Sequence, residues 1–261
     1  MSSQDAFFTT GKPDWFEPTD HCRGPWNTDA CHAGPPTGLL ARAAESIVPE
    51  KRLVRLCVDL IRPIPMSGFS VVADITRAGK TVSTSHAQLL NSDGKPVAKA
   101  NALHIAPQPP HNFPTQSAHF GSARNALEGP FPISATHSEP AFPNAVQVRY
   151  PDGQDGHPGP STVWMKALPL LANETPSPFQ RICPLADCGN AFGRNAEPSE
   201  VSFINPDLTI VLHRDPSGDW LGSQSSGYWE SNGLGMADAK LFDEDGVVGR
   251  AVQTLLLQAM S

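Results

Sequence analysis

The sequence has few charged side chains. Asp, Glu, Lys and Arg make up 17% of the 261 residues, against roughly 25% in an ordinary soluble domain. Acidic residues outnumber basic ones, and the formal net charge is −7. A nucleic-acid-binding surface needs a stripe of Lys and Arg that neutralises phosphates. The composition therefore argues against a nucleic acid as partner.

Long apolar runs and targeting patterns are also missing. No apolar stretch reaches the roughly 18 residues that a membrane-spanning helix needs. The N-terminal segment M-S-S-Q-D-A-F-F lacks the basic and then apolar order of a secretory signal. We therefore expect a cytoplasmic protein with no membrane partner.

The cysteines and histidines show no metal-binding spacing. The five cysteines contain no C-x-x-C pair, and the nine histidines contain no H-E-x-x-H motif. A structural zinc site would need paired spacings, and a disulfide framework would need a smaller chain with denser cysteines. We expect reduced thiols, no metal and no cofactor.

The sequence does contain an internal repeat. Arg62 and Arg214 each end an alternating apolar run, L-V-R-L-C-V-D-L-I-R and I-N-P-D-L-T-I-V-L-H-R, and they are 152 residues apart (214 − 62). Gly94 and Gly246 each follow an Asp in a hairpin-type turn at the same spacing (246 − 94 = 152). A constant spacing predicts two copies of one supersecondary unit and therefore a duplicated fold.

Each copy has the pattern of one helix followed by an antiparallel meander. Helices are predicted over 34–48 and over 183–192, where Pro184 would lie in the first turn. Alternation of apolar and polar residues is typical of strands with one buried face, and a sheet that curls around its helix buries both apolar faces. This pattern predicts an α+β fold with strands over 53–61, 69–76, 81–90, 96–106, 203–212, 220–229, 235–242 and 247–257.

The residues between the two copies are rich in Pro, His, Ser, Gly and Asn. Such a composition is typical of a long connection that runs over the surface. We therefore divide the chain into an N-terminal unit (1–106), a Pro-rich linker (107–140) and a C-terminal unit (141–261) that carries the candidate site.

The predicted arrangement resembles the hotdog fold, present twice in one chain. The stretches G-P-W-N-T-D-A-C-H-A-G-P-P-T-G-L-L-A-R-A-A-E, L-V-R-L-C-V-D-L-I-R-P-I-P and A-D-C-G-N with F-I-N-P-D-L-T-I-V-L-H-R and D-E-D-G-V-V-G-R-A-V-Q-T-L resemble the double-hotdog thioesterases of the type II acyl-CoA thioesterase group. The resemblance covers nearly the whole chain apart from the linker. It implies a double hotdog, an acyl-CoA or other acyl-thioester as substrate, a place in fatty acid metabolism, and a dimer of double hotdogs.

Asp187 is the first candidate for a catalytic residue. It lies in the uncharged stretch P-L-A-D-C-G, near the predicted start of the second helix. A helix N-terminus would favour its ionised form, whereas apolar neighbours would favour the neutral form, and a base that works near neutral pH needs that balance. The alternative is an Asp that only complements the helix dipole.

Gln253 and Asn205 are the other polar candidates. Gln253 shares the apolar face of the last strand with Ala251 and Leu255, so its amide must find partners there. Asn205 precedes Pro206, which restrains it to extended geometry at the start of a strand. Structural explanations stay open for both, namely a buried Gln that ties down the backbone and an ordinary turn Asn.

The resemblance implies a role for each candidate. In type II thioesterases an Asp on the second hotdog helix, a hydroxyl residue on the following strand and a Gln on the final strand hold the attacking water. Asp187 and Gln253 match the Asp and Gln positions, and Asn205 stands where the family has Thr or Ser. We expect the backbone N–H groups around Cys188 and Gly189 to stabilise the oxyanion.

The repeat spacing also predicts how many sites the chain has. Subtracting 152 gives a first-half counterpart for each candidate: Pro35 for Asp187, Leu53 for Asn205 and Asn101 for Gln253. The first half would then keep one polar member and lack the carboxylate. We expect one site per chain, in the second half and lined across the interface by the first.

The leading hypothesis is hydrolysis of an acyl-thioester by water that Asp187 activates. One alternative is hydration or dehydration of an enoyl-thioester, whose D-x-N-P-x-H motif is incomplete here because Phe203 and Leu208 replace its Asp and His. A second alternative is a non-catalytic acyl-ligand-binding protein that kept the pocket.

Two further groups of residues are weaker candidates. Arg181, Arg194 and Arg214 could meet the phosphates of coenzyme A, although ion-paired surface arginines are the more common outcome. Cys31 beside His32 has the composition of a nucleophile and its base, but adjacent residues seldom present their side chains to each other.

Overall fold

The computed structural model describes residues 6–12, 14–115 and 118–260. The first residues of the predicted N-terminal unit (1–5), residues 13, 116 and 117, and the last residue of the C-terminal unit (261) lie outside the described residues. No helix in the described ranges is long and apolar enough to cross a membrane.

The α-helices are α1 (Gly34–Ile47), α2 (Phe142–Ala145), α3 (Pro178–Ala186) and α4 (Gly189–Phe192). The strands are β1 (Phe8–Lys12), β2 (Trp15–Pro18), β3 (Arg52–Leu60), β4 (Phe69–Arg77), β5 (Val82–Leu90), β6 (Pro96–Ile105), β7 (Leu127–Gly129), β8 (Gln147–Tyr150), β9 (Ser161–Lys166), β10 (Val201–Ile204), β11 (Asp207–Leu212), β12 (Leu221–Trp229), β13 (Leu234–Asp243) and β14 (Gly246–Ala259).

The two halves join through one antiparallel pair, β3 and β11, at the centre of a continuous sheet. From that pair the order runs β6, β5, β4 on one side and β14, β13, β12 on the other. Each half has a helix followed by four antiparallel strands, of which the last three form a meander and the first pairs with the last. This arrangement confirms the predicted α+β double hotdog. The first helix and seven of the predicted strands are present with small shifts at their ends. The predicted strand over 203–212 is wrong, because Asn205 and Pro206 divide this stretch into β10 and β11.

The repeat spacing is a real two-fold relation at the centre of the sheet. Arg55 pairs with Val211, and Asp59 pairs with Asp207. Shifting each member of the first pair by 152 residues produces the second pair (55 + 152 = 207 and 211 − 152 = 59). The β3–β11 junction is therefore symmetric in register.

The spacing changes from 152 to 151 after the hairpin turns. Ser85 pairs with Ala102 in the first half, and Ala237 pairs with Gln253 in the second, which gives 237 − 85 = 152 but 253 − 102 = 151. The second unit has one residue fewer in its hairpin turn, between Asp243 and Gly246, than the first unit has between Asn91 and Lys95. A one-residue slip moves a side chain to the opposite face. The predicted counterpart Asn101 is therefore wrong. Asn101 is exposed, and the buried Ala102 takes the place that Gln253 has in the second half.

The second helix begins five residues earlier than predicted. The Ser177 Oγ caps α3 by accepting the Gln180 N–H at 3.1 Å, and Pro178 occupies the first turn. Pro184, predicted for the first turn, lies inside α3. Asp187 is consequently the C-cap of α3. The prediction that the N-terminus of its own helix favours the Asp187 carboxylate is wrong.

The helices α1 and α3 pack against each other in opposite directions. A Cβ added to Gly34, at the start of α1, would lie 2.9 Å from the Cα of Pro184 near the end of α3, so this approach requires a glycine. At the other end, the carboxylate of Glu45 on α1 accepts hydrogen bonds from the Ser177 Oγ at 2.8 Å and the Gln180 Nε2 at 2.7 Å. The N-terminus of each helix therefore meets the C-terminal part of the other.

The connection between the halves, from the end of β6 to the start of β8, is partly buried. Ile133 is 3% exposed and Phe142 is fully buried. The backbone N–H of Thr136 donates to the Pro25 carbonyl at 2.8 Å, and that of Phe142 donates to the Arg23 carbonyl at 2.8 Å. This segment is thus fixed to the loop that precedes α1.

Candidate active site

A cleft of about 440 Å³ opens where the two halves meet. The first half supplies the loop before α1 and the residues after β3, the second half supplies the α3–α4 turn and the approach to β11, and the connection supplies two apolar side chains. The polar lining includes Asn27, His32, Arg62, Asp187, Asn190 and Asn205, and the apolar lining includes Trp26, Ile64, Phe131, Ile133 and Phe203. A cavity of about 560 Å³ between β9 and α3 is larger but contains none of the candidate catalytic residues. We therefore take the smaller cleft, which Asp187 and Asn205 line, as the candidate active site.

Two of the predicted residues, Asn205 and Gln253, converge on the carboxylate of the third, Asp187, which is 4% exposed. Its Oδ1 accepts hydrogen bonds from the Asn205 Nδ2 at 2.9 Å and from the Gln253 Nε2 at 3.1 Å. The turn between α3 and α4 supplies Asp187, the approach to β11 supplies Asn205, and β14 supplies Gln253. Both donors act on the same oxygen, so they fix the orientation of the carboxylate.

Gln253 lies on the buried face of β14, as predicted, and has a partner for each polar group. Its Nε2 also donates to the Asp187 backbone carbonyl at 3.1 Å, and its Oε1 accepts the Asn190 N–H at 3.0 Å. A Cβ added to Gly189 would lie 3.2 Å from this Oε1, so the glycine lets the helix approach closely. The amide of Gln253 is therefore held in one orientation.

Asn205 is positioned by Asn190. The Asn190 Nδ2 donates to the Asn205 Oδ1 at 3.2 Å. With its Oδ1 used as an acceptor, Asn205 has only its Nδ2 to offer to Asp187, and the same Nδ2 lies 3.3 Å from the Asp207 carbonyl. Asn205 thus donates a hydrogen bond to Asp187 from the position where the resemblance implies a hydroxyl residue.

His32 approaches the other oxygen of Asp187 from the first half of the chain. Its Nδ1 lies 3.1 Å from the Asp187 Oδ2 and accepts the Gly34 N–H at 3.2 Å. The imidazole ring stacks on Phe142, with 3.9 Å between the ring centroids and 14° between the planes. The connection between the halves therefore helps to hold His32 beside the acid.

Sequence reasoning missed Asn190 and His32 as site residues. Asn190 follows Asp187 by three residues, and on a helix this spacing places two side chains next to each other, so the sequence could have indicated it. His32 was weighed only together with Cys31, and the Cys31 Sγ instead lies 3.6 Å from the Met66 Sδ. The contact between His32 and Asp187 spans both halves of the chain, so no local pattern predicts it.

Burial dominates the electrostatics of the site. Burial raises the pKa of Asp187 to about 7, although hydrogen bonds from Asn205, the Gly34 N–H and Gln253 oppose the rise. Burial also lowers the pKa of His32 to about 3, so the ring is neutral near pH 7. The contact between the two is therefore not an ion pair.

We assign the ring proton of His32 to Nε2, because Nδ1 accepts the Gly34 N–H. The 3.1 Å contact between Nδ1 and the Asp187 Oδ2 is then a hydrogen bond only when the carboxyl group is protonated, with its O–H as the donor. A pKa of about 7 leaves roughly half of the Asp187 side chains protonated at neutral pH. The Nε2–H remains as a donor for a molecule bound in the cleft.

The helix N-terminus that meets Asp187 belongs to α1. Gly34 begins this helix of 14 residues, and its N–H acts to lower the pKa of Asp187 against the effect of burial. The partial positive charge of α1 therefore favours the ionised acid. The corresponding place at the start of α3 is occupied by Glu45, hydrogen-bonded to Ser177. The expectation that the first half lacks a carboxylate is thus wrong, because the packing of α1 on α3 decides which residues correspond.

Cys188 is not arranged as the oxyanion donor that the sequence suggests, and neither Cys188 nor Gly189 lines the cleft. The Cys188 N–H donates to the Leu185 carbonyl at 3.0 Å, and its side chain is fully buried. Gly189 packs against Gln253. On this side the cleft is lined by Asn190 and Ala191. Since the Cys188 N–H already has an acceptor within its own turn, that prediction is wrong for Cys188.

The three arginines considered for phosphate binding have partners within the protein. Arg214 forms a two-pronged ion pair with Asp243. Arg194 is 2% exposed and binds Glu197, and Arg181 donates to two backbone carbonyls. None of the three lines the cleft. Their roles are structural.

Arg62, the repeat counterpart of Arg214, does line the cleft. Arg62 is exposed and donates to the Pro96 carbonyl at 2.7 Å. The residue 152 positions before Asp243 is Asn91, so the acidic partner of Arg214 has no equivalent beside Arg62. Among the described residues, Arg62 has no carboxylate partner. Of these two repeat-related arginines, Arg214 is neutralised by Asp243, whereas Arg62 is available to contact an anion in the cleft.

The fold is that of the double-hotdog proteins. Two family descriptions match the chain: the acyl-CoA thioesterase N-terminal domain over residues 22–105 and the acyl-CoA thioesterase C-terminal domain over residues 116–257. The chain belongs to the acyl-CoA thioesterase family. This membership confirms the resemblance noted in the sequence.

Solved structures share the fold over the whole chain. The acyl-CoA thioesterase II TesB2 from Mycobacterium marinum is 16% identical, with a TM-score of 0.66 over 100% of this chain and 98% of that one. The tesB protein of Mycobacterium avium subsp. paratuberculosis is 12% identical, with a TM-score of 0.69 over 96% and 95% of the two chains. A conserved protein with a hot dog fold from Alicyclobacillus acidocaldarius is 16% identical, with a TM-score of 0.72 over 99% and 98%. Comparison with curated protein sequences finds no significant match.

Proposed function

We propose that this protein hydrolyses an acyl-thioester and that Asp187 is the base that activates the attacking water. The observation that carries the proposal is a buried carboxylate on the wall of the cleft, with its pKa raised to about 7 by burial. Such a carboxylate is a much stronger base than an exposed Asp and is still substantially ionised at neutral pH. Membership of the thioesterase family supports the same reaction class.

The proposed reaction needs one proton carrier. Asp187 accepts a proton from water while the water oxygen bonds to the thioester carbonyl carbon. The C–S bond of the tetrahedral intermediate then breaks, and the sulfur takes the proton from Asp187. The products are a carboxylic acid and a free thiol. Since Asn205 and Gln253 both donate to Oδ1, Oδ2 is the oxygen that serves the water.

Two features of the first half are proposed to stabilise the oxyanion, in place of Cys188 and Gly189. One is the partial positive charge at the N-terminus of α1, which attracts negative charge, whereas the Gly34 N–H itself already donates to His32. The other is the Nε2–H of His32, whose ring is held by the stack with Phe142. Donors that are already oriented need no rearrangement as the charge develops, which is the source of their effect.

Coenzyme A is the proposed thiol carrier. Arg62 lines the cleft without a carboxylate partner among the described residues. The planar guanidinium group suits phosphate oxygens, which accept two parallel hydrogen bonds. The net charge of −7 would otherwise repel such an anion, so a local arginine is needed to attract it.

A non-catalytic acyl-ligand-binding protein is the alternative, and Asn205 is the observation that favours it. Asn205 replaces the hydroxyl residue that the resemblance implies. Its Nδ2 nevertheless lies 2.9 Å from the Asp187 Oδ1 and makes the needed hydrogen bond. Hydration of an enoyl-thioester has less support, because Phe203 and Leu208 are buried apolar residues at the places of the acid and the base.

The test is an assay of thiol release from acyl-CoA substrates of increasing chain length. The Asp187→Asn variant should lose at least a hundredfold in kcat, the usual contribution of a general base. Its oxygen can still accept from Asn205 and Gln253, so the circular dichroism spectrum should not change. Full activity of Asp187→Asn would exclude the mechanism, and binding without turnover by the wild type would favour the carrier.

A further inference from the structure

We infer that the segment joining the two halves, through Phe131 and Ile133, sets the length of the acyl chain that the cleft accepts. The inference rests on the proposed acyl-thioester substrate. Both residues line the cleft that contains Asp187, although they belong to the stretch predicted as a surface linker. The candidate catalytic groups come from the two hotdog units, whereas these two wall residues come from the connection.

Ile133 and Phe131 form part of an apolar wall. Ile133 is 3% exposed and packs in one cluster with Ala191 and Phe203, which also line the cleft. Phe131 packs against the same cluster. An apolar wall next to the acid is suited to a hydrocarbon chain, because burying each methylene of the chain is favourable.

Two buried aromatic rings pack against Phe131. The ring of Phe131 lies 5.3 Å from that of Phe192 and 5.9 Å from that of Phe142, measured between centroids. Both of these rings are fully buried. Removing the Phe131 ring would therefore open an apolar space inside the protein that is continuous with the cleft and does not lead directly to solvent. A dry apolar space of this kind can be filled by an apolar ligand.

The wall is held in place by hydrogen bonds to the loop that precedes α1. The Thr136 N–H and Oγ1 both donate to the Pro25 carbonyl, at 2.8 and 3.0 Å. The Arg23 Nη1 donates to the Pro140 carbonyl at 3.1 Å. On the other side, the Tyr150 hydroxyl donates to the Pro130 carbonyl at 2.8 Å. A wall anchored on both sides keeps a fixed distance from Asp187, so it can limit the length of the acyl chain that the cleft holds.

The experiment compares the affinities of the wild type, Phe131→Ala and Ile133→Ala for S-alkyl coenzyme A thioethers of increasing chain length, by titration calorimetry. These thioethers have no scissile carbonyl, so binding is measured independently of turnover. In both variants the chain length of tightest binding should increase. Each methylene that the opened space accepts should add roughly a tenfold gain in affinity.

Phe120→Ala is the matched control. Phe120 lies in the same connection but stacks on Phe242, at 4.2 Å between centroids, and does not line the cleft. Its chain-length profile should equal that of the wild type. Ile133→Ala serves as the milder change if Phe131→Ala does not fold. An unchanged profile in a folded Phe131→Ala or Ile133→Ala variant would overturn the inference. A shifted profile in a protein that cleaves no thioester would uphold the inference and refute only the proposed hydrolysis.

Discussion

The Oδ2 of Asp187 lies 3.1 Å from the Nδ1 of His32, so the acid of the second half meets a neutral imidazole of the first. The other carboxylate oxygen is held by two amide donors of the second half. The site therefore exists only when the two hotdog units are packed together. A carboxyl group between an apolar wall and a neutral histidine holds its proton more tightly than an exposed Asp does.

The activity of the wild type should increase with pH and reach half of its plateau near pH 7. Only the ionised carboxylate can accept a proton from water, and burial raises the pKa of Asp187 to about 7. His32, with a pKa lowered to about 3, stays neutral throughout and adds no further step near pH 7. The measurement is kcat/KM over a pH series. A midpoint at the ordinary Asp value, about 4, would contradict the assignment.

Asp187→Asn should make the protein more stable at alkaline pH. The folded state holds the carboxyl proton more tightly than the unfolded chain does. This contribution to stability is present below the unfolded pKa of about 3.9 and is lost as the pH rises through about 7. The Asn side chain resembles the protonated acid, since its oxygen can accept from Asn205 and Gln253 and its amide can donate to His32.

Thermal unfolding of Asp187→Asn and wild type, scanned in parallel at several pH values, tests this expectation. The advantage of the variant should be small near pH 4 and should grow to its full size above about pH 7. The low-pH pair is the internal control. A constant difference between the two proteins at every pH would show that the proton on Asp187 is not responsible.

His32→Ala should reduce kcat by about a hundredfold or more, because it removes a proposed oxyanion donor. The expected effect is on kcat more than on KM, since an oxyanion donor acts mainly in the transition state. His157→Ala is the control, because His157 is 78% exposed and lies beside Asp155 on the surface. Steady-state kinetics on one acyl-CoA substrate measures both. A His32→Ala enzyme with wild-type kcat would remove His32 from the mechanism.

Arg62→Gln should raise KM for acyl-CoA about tenfold and leave kcat nearly unchanged, because it removes one charge-assisted contact to a phosphate group. KM for an acyl-N-acetylcysteamine thioester, which has no phosphate, should stay the same. Arg77→Gln is the matched control. Arg77 is also exposed and donates to a single backbone carbonyl, that of Val82 at 3.2 Å, but it does not line the cleft. Equal KM increases on both substrates would argue against a phosphate contact.

The sequence by itself determined the duplicated helix-and-meander layout and the candidate acid. Alternation along β3 and β14 shows which face of each strand is buried, because successive side chains of a strand point to opposite faces. That rule was sufficient to place Gln253 inward. The equal spacing of the Arg62–Arg214 and Gly94–Gly246 pairs was sufficient to predict a duplicated fold.

Only the tertiary structure decided what surrounds the acid. The turn of the second hairpin is one residue shorter than that of the first, so the counterpart of Gln253 is Ala102 and not Asn101. A match of residue types between the two halves does not reveal such a slip. The antiparallel packing of α1 on α3 brought Gly34 and His32 to Asp187. Local periodicity determines which face of an element is buried, but contacts between residues more than a hundred positions apart depend on how whole elements pack.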